Sequence, residues 1–157
     1  MYVCRYWPGV AGEHTGFGMA NSIEGPFTIV ANLSWQYSND EDPFVWQQPD
    51  GTLHCLYHNG RGSKHPNHGL HAFSTDGKVW HKPADALSPA CAQQQVCGAL
   101  YTNNVTLADG TVQELEGRER PALIFDPDTR APIWLFNGAI SANSSVPWFA
   151  MAQPIEA

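Results

Sequence analysis

Short apolar runs, broken at close intervals by turn residues, set the pattern of this chain. Phe44-Val45-Trp46, Leu123-Ile124-Phe125 and Ile133-Trp134-Leu135-Phe136 are apolar on consecutive residues. A strand with one wet face alternates, so consecutive apolar residues predict strands buried on both faces. Asp50-Gly51, Asp76-Gly77 and Asp109-Gly110 lie between such segments, and Asn59-Gly60 and Asn137-Gly138 follow them. Asx-Gly pairs tolerate the positive φ angles of tight hairpins, so each of the five predicts a turn. Helical signals are nearly absent, and the alanine-rich stretch from Ala84 to Ala92 is broken by Pro89. The pattern predicts an all-β chain of many short strands.

An internal repeat organises these strands. Glu41-Asp42-Pro43-Phe44-Val45-Trp46 matches Glu119-Arg120-Pro121-Ala122-Leu123-Ile124 at an offset of 78 residues. After one inserted residue, the segment from His54 to Asn59 matches that from Ile133 to Gly138. A local echo relates Ala72-Phe73-Ser74-Thr75-Asp76-Gly77 to Ala20-Asn21-Ser22-Ile23-Glu24-Gly25, each expected to be a strand running into a turn. A repeat of this length, made of antiparallel strands, fits stacked blades. Residues 2–31 are expected to form the later strands of one blade, 41–108 a full blade, and 118–155 the first strands of the next. The whole chain, 1–157, then reads as a single partial propeller domain; a compact β-sandwich is the alternative. A propeller needs about four blades to close. An open stack leaves an apolar blade face in water, which predicts self-association.

Composition narrows the partners. Hydrophobic residues make up 43% and charged residues 15%, a globular balance. The formal net charge of −7 argues against a nucleic-acid or anionic-membrane partner and fits a neutral ligand such as a glycan. No apolar run is long enough for membrane insertion as a helix. The first residues, Met1 to Trp7, do not read as a signal peptide. Asn32-Leu33-Ser34, Asn104-Val105-Thr106 and Asn143-Ser144-Ser145 are glycosylation sequons, compatible with an extracellular or secretory-pathway location. Cys91 and Cys97 share one polar loop and could close a small disulfide, whereas Cys4 and Cys55 read as buried thiols. The cysteine spacings do not supply a zinc site, and no cofactor motif is present.

The Glu-Asp-Pro-Phe-Val-Trp start, the Ala72-to-Trp80 segment and the Arg118-Glu119-Arg120-Pro121 start together resemble the five-bladed β-propellers of glycoside hydrolase family 43 and its relatives, families 32, 62 and 117. Within that group the chain is similar to propeller proteins with a Glu-Asp-Pro blade, then an Arg-Glu-Arg-Pro blade, and an ending like Gln153-Pro154-Ile155. The resemblance implies a carbohydrate partner and glycosidic-bond hydrolysis. It implies that Asp42 is the carboxylate that orients the acid and that Glu119 is the general acid. The family's catalytic base has no counterpart among the acids before Glu41, and Arg120 stands where the family has glycine. Ser74-Thr75-Asp76-Gly77-Lys78-Val79-Trp80 resembles, one residue short, the structural hairpin motif of sialidases, in which the tryptophan packs beneath the turn.

The chemistry of glycoside cleavage accounts for such a pair. One carboxyl group protonates the leaving oxygen while another activates water or attacks carbon. Strands of neighbouring blades can present these groups to each other from distant positions in sequence. Around Asp42 and Glu119, the residues expected to bind substrate are Glu41, His71, Arg118, Arg120, Trp7 and Trp35. The two tryptophans lie in polar, irregular segments, where an indole face can stack on a sugar ring; Trp46, Trp80, Trp134 and Trp148 are expected mainly in the core. His54 and His58, four residues apart on one strand, sit ~13 Å apart and cannot share a metal ion. His65, His68 and His71 could cluster, with polar lining as their expected role and no metal. Asp126-Pro127-Asp128 reads as a hairpin tip, because the spaced ligands of a calcium loop are missing.

Overall fold

The computed structural model describes residues 2–4, 16–32, 40–59, 68–81, 99–141 and 148–155. Within them the chain is all-β. Eleven strands are described: β1 (Tyr2–Cys4), β2 (Gly16–Met19), β3 (Thr28–Asn32), β4 (Asp40–Gln47), β5 (Leu53–Asn59), β6 (Gly69–Ser74), β7 (Ala99–Tyr101), β8 (Asn104–Thr106), β9 (Val112–Phe125), β10 (Pro132–Ser141) and β11 (Trp148–Pro154). They form three antiparallel meanders: a first sheet β1-β2-β3, a middle sheet β4-β5-β6-β7 and a last sheet β8-β9-β10-β11.

Turn chemistry explains most strand ends. At Asp50-Gly51 the carboxylate accepts the Thr52 N–H at 2.9 Å and Gly51 has φ +90°, where a side chain would be strained. Asp109-Gly110 repeats this, with Thr111 N–H on the Asp109 carboxylate and φ +83° at Gly110. Asp126 holds the β9–β10 tip by accepting the Asp128 and Thr129 N–H groups, so this tip is a hairpin as its sequence indicates. The echo segment also turns: Gly25 N–H donates to the Ser22 carbonyl at 3.2 Å.

Asn137-Gly138 is a correction. It lies inside β10 and makes no turn. The Asn137 side chain is buried and its amide donates to the Glu119 carbonyl at 3.3 Å, so packing claims the pair. A second correction concerns the blade boundaries. Residues 104–106, read as the end of the middle blade, pair with β9 and not with β7. The Asp109-Gly110 hairpin explains this, because a two-strand hairpin binds β8 to the strand that follows it.

The middle sheet is covered on both sides. Leu53, Cys55, Tyr57 and Ala72 face the first sheet and pack with Phe17 and Val30. Leu56 and Trp46 face the last sheet and pack with Leu123 and Leu135. Consecutive burial of Cys55, Leu56, Tyr57 and His58 follows directly, as the unbroken apolar pattern requires. Cys55 is fully buried, as expected; Cys91 and Cys97 lie outside the described residues. Trp80 closes the first interface. Its ring meets Phe17 edge-on at 5.0 Å and its indole N–H donates to the Gly77 carbonyl at 3.0 Å, beneath the Ser74–Trp80 turn.

The register shows how the repeat is built. Glu41 pairs with His58 and Phe44 with Leu56, so β4 carries one extra residue there. Glu119 pairs with Gly138 and Ala122 with Phe136, so β9 carries the same bulge. Asp42 and Arg120 occupy equivalent bulge positions, with φ +52° and +51°. The pairing aligns His58 with Gly138, so β5 matches β10 one residue further along than the sequence comparison places it. The burial pattern requires this. Cys55 and Tyr57 then match buried Leu135 and Asn137, whereas the shorter spacing matches Cys55 to Trp134, which is 40% exposed. A one-residue slip exchanges the two faces of a strand.

Candidate functional site at the seam of the middle and last sheets

The two bulges meet where β4 runs beside β9. A non-glycine residue with positive φ is uncommon and costs about 1–3 kcal/mol, so it persists only where the surroundings hold it. Here both sit just before a proline, a position already biased towards extended backbone. A bulge re-aims the side chain it carries. The result is a compact charged cluster. Arg120 Nη1 donates to Glu119 Oε2 at 3.3 Å, and its Nε lies 3.7 Å from Asp42 Oδ2. His58 Nε2 lies 3.1 Å from the same Asp42 oxygen. His58 is fully buried, Glu119 is buried and Asp42 half-buried, while the Arg120 side chain is 61% exposed. The guanidinium is therefore the solvent-facing member, bridging an acid from each sheet.

The structure brings Asp42, Glu119 and Arg120 together in one cluster. His58 is missed as a partner, since only strand register shows that it stands opposite Glu41. Glu41 itself is half-buried at the matching position to Glu119. Arg118, also expected to bind substrate, is not part of this cluster. It is 2% exposed and tied down inside the protein, away from the Arg120 cluster. Its guanidinium donates to the Thr102 carbonyl at 3.1 Å, Asn137 Oδ1 at 2.9 Å and Gln153 Oε1 at 3.1 Å, and lies 4.4 Å from the centre of the Tyr101 ring. These bonds join β9, β10, β11 and the end of β7, which is a structural task. Burial holds its pKa below the ordinary arginine value and pushes that of Tyr101 up.

His71 is also elsewhere. Its Nε2 lies 2.9 Å from His54 Nδ1, and the two rings stack at 5.1 Å with Trp46 against them. His65 lies outside the described residues. Burial, and secondarily His54, pushes the pKa of His71 down to about 4; burial also lowers that of His54. Trp7 and Trp35 lie outside the described residues. Trp134 and Trp148, expected in the core, are 40% and 49% exposed; among the described residues no further sheet covers the last one.

A groove of about 1000 Å³ opens between β7, β8 and β11, lined by Tyr101, Thr102, Met151 and Gln153. Neither Asp42 nor Glu119 lines it, and it presents no carboxylate. Among the described residues no group of three or more His, Cys, Asp and Glu is arranged to hold a metal ion. No helix of the described residues is long and apolar enough to cross a membrane.

No family profile, curated protein or solved structure matches this chain. The geometry at the seam and the motifs themselves carry the functional reading.

Proposed function

We propose that the chain is part of a five-bladed β-propeller of the glycoside hydrolase family 43 kind, acting on glycosidic bonds of an oligo- or polysaccharide at the Asp42–Glu119 seam. The observation that supports this most is the convergence of two equivalent bulges, which aims an acid from each sheet at one shared guanidinium. In this reading Glu119 donates a proton to the leaving oxygen while a water attacks the anomeric carbon, its proton taken by a carboxylate base that another blade of the ring supplies. Asp42, held by His58 at 3.1 Å, orients Glu119 and the substrate. Sugar hydroxyls displace Arg120 from the carboxylates, and its exposed side chain has room to swing out. The test is turnover of arabinan, xylan, fructan and galactan oligosaccharides by the chain and by Glu119→Gln. Release of sugar by the parent, lost in the variant, supports the reading. No release from the parent refutes it.

The Arg120 bridge itself favours a second reading, a carbohydrate-binding propeller without turnover. Both carboxylates are already engaged, so they can serve as fixed acceptors for sugar hydroxyls. Glycan binding by the parent that persists in Glu119→Gln, with no sugar released by either, selects this reading over the first.

A further inference from the structure

The middle sheet has two kinds of face. Val45, Cys55 and Tyr57 turn towards the first sheet; Trp46, His54 and Leu56 turn towards the last. By register, Val45, Cys55 and Tyr57 correspond to Leu123, Leu135 and Asn137, which turn towards the middle sheet. Trp46, His54 and Leu56 correspond to Ile124, Trp134 and Phe136, on the outer side of the last sheet. The sheets are therefore stacked in one direction, each offering the next the same kind of face. The outer side of the last sheet is the face that, one repeat earlier, receives a sheet.

Its chemistry matches that task. Every position that β10 and β11 turn to this side, from Trp134 and Pro154 to Ile140 and Trp148, is apolar. Ile124, Trp134 and Trp148 are 48%, 40% and 49% exposed, while Ile140 at the far end is buried. A contiguous apolar face of this kind marks an interaction surface. The opposite end of the stack supplies the complementary kind of face. On the first sheet Phe17 points inward and Ile29 turns outward, 43% exposed, although its strand partner Gly18 is buried.

We infer that the outer face of the last sheet docks the outer face of the first sheet of a second copy of this chain, continuing the stack head to tail. The contact is heterologous: two different surfaces of one chain meet, so each copy has one of each. Continuity with the two interfaces inside the chain argues for this over face-to-face pairing of two last sheets, since neither internal interface joins like faces.

Half-blocked variants test the direction. Trp134→Lys blocks the receiving face and Ile29→Lys the docking face; both side chains are exposed, so each charge meets water in the single copy. In sedimentation velocity the parent is expected to associate with rising concentration and each variant alone to stay monomeric. An equimolar mixture should give a heterodimer that grows no further, because each variant retains the surface the other lacks. A parent that stays monomeric at all concentrations overturns the inference. So does an Ile29→Lys protein that still self-associates, which indicates like-face pairing, or a mixture that does not associate. Far-UV circular dichroism verifies that each variant is folded, and Ile124→Lys replaces Trp134→Lys if the latter loses its spectrum.

Discussion

Ser74 is the residue whose removal tests most directly how the first interface is held. Its hydroxyl is completely buried, donates to the Val79 carbonyl at 2.6 Å, and accepts the Gly77 N–H at 2.9 Å and the Asp76 N–H at 3.3 Å. Those bonds set the turn that places Trp80 on Phe17. Ser74→Ala leaves the Gly77 N–H buried without this acceptor, costing about 1–3 kcal/mol, whereas the exposed Val79 carbonyl turns to water. A loss of about 2 kcal/mol in a chain of this size lowers Tm by ~4–8 °C. The assay is urea unfolding followed by tryptophan fluorescence, with Asp76→Ala as the control. Asp76 accepts the Lys78 and Val79 N–H groups at the exposed tip, and water can replace it. A Ser74→Ala cost below about 0.5 kcal/mol, or one smaller than that of Asp76→Ala, would falsify the claim that burial sets the price of this hydroxyl.

The remaining predictions follow from packing and protonation. A Cβ at Gly69 would overlap the Tyr101 ring, so Gly69→Ala should destabilise by about 1–3 kcal/mol in the same assay; an unchanged midpoint would show that the ring moves freely. His71 titrates near 4 in the folded chain and near the ordinary 6.5 unfolded. The unfolded chain therefore binds the extra proton first, and stability falls as pH drops from about 6.5 towards 4. His71→Phe should make the unfolding midpoint less sensitive to pH in that window, and an unaltered pH profile would remove His71 as its source. At the seam, Glu119→Gln should abolish any sugar release while leaving the fold intact by circular dichroism.

The strand inventory and the turns were legible because they depend on neighbours in sequence. Asp50-Gly51, Asp109-Gly110 and the Ser74–Trp80 segment each satisfy their backbone groups within a few residues. Asn137-Gly138 shows where such reading stops. The same dipeptide chemistry serves inside a strand once a bulge opposite it needs an amide to bond the Glu119 carbonyl. The candidate site was legible to the extent that it lies on the repeat. Asp42 and Glu119 stand out by their place before and at the Glu-x-Pro step, whereas His58 carries no local mark of being the partner of Asp42.

The chain's own pattern determined that it is all-β, that it repeats, and that its strands are buried on two faces. Each of these follows from side-chain periodicity and turn preference, which act over a few residues. The tertiary structure decided which face of each strand meets which sheet, since that depends on register, and one extra bulge residue exchanges the faces. It also decided that Arg118 is buried scaffolding while Arg120, two residues on, bridges two acids. Both carry the same charge in sequence, and only their different neighbours, Thr102, Asn137 and Gln153 for one and Asp42 and Glu119 for the other, separate their tasks.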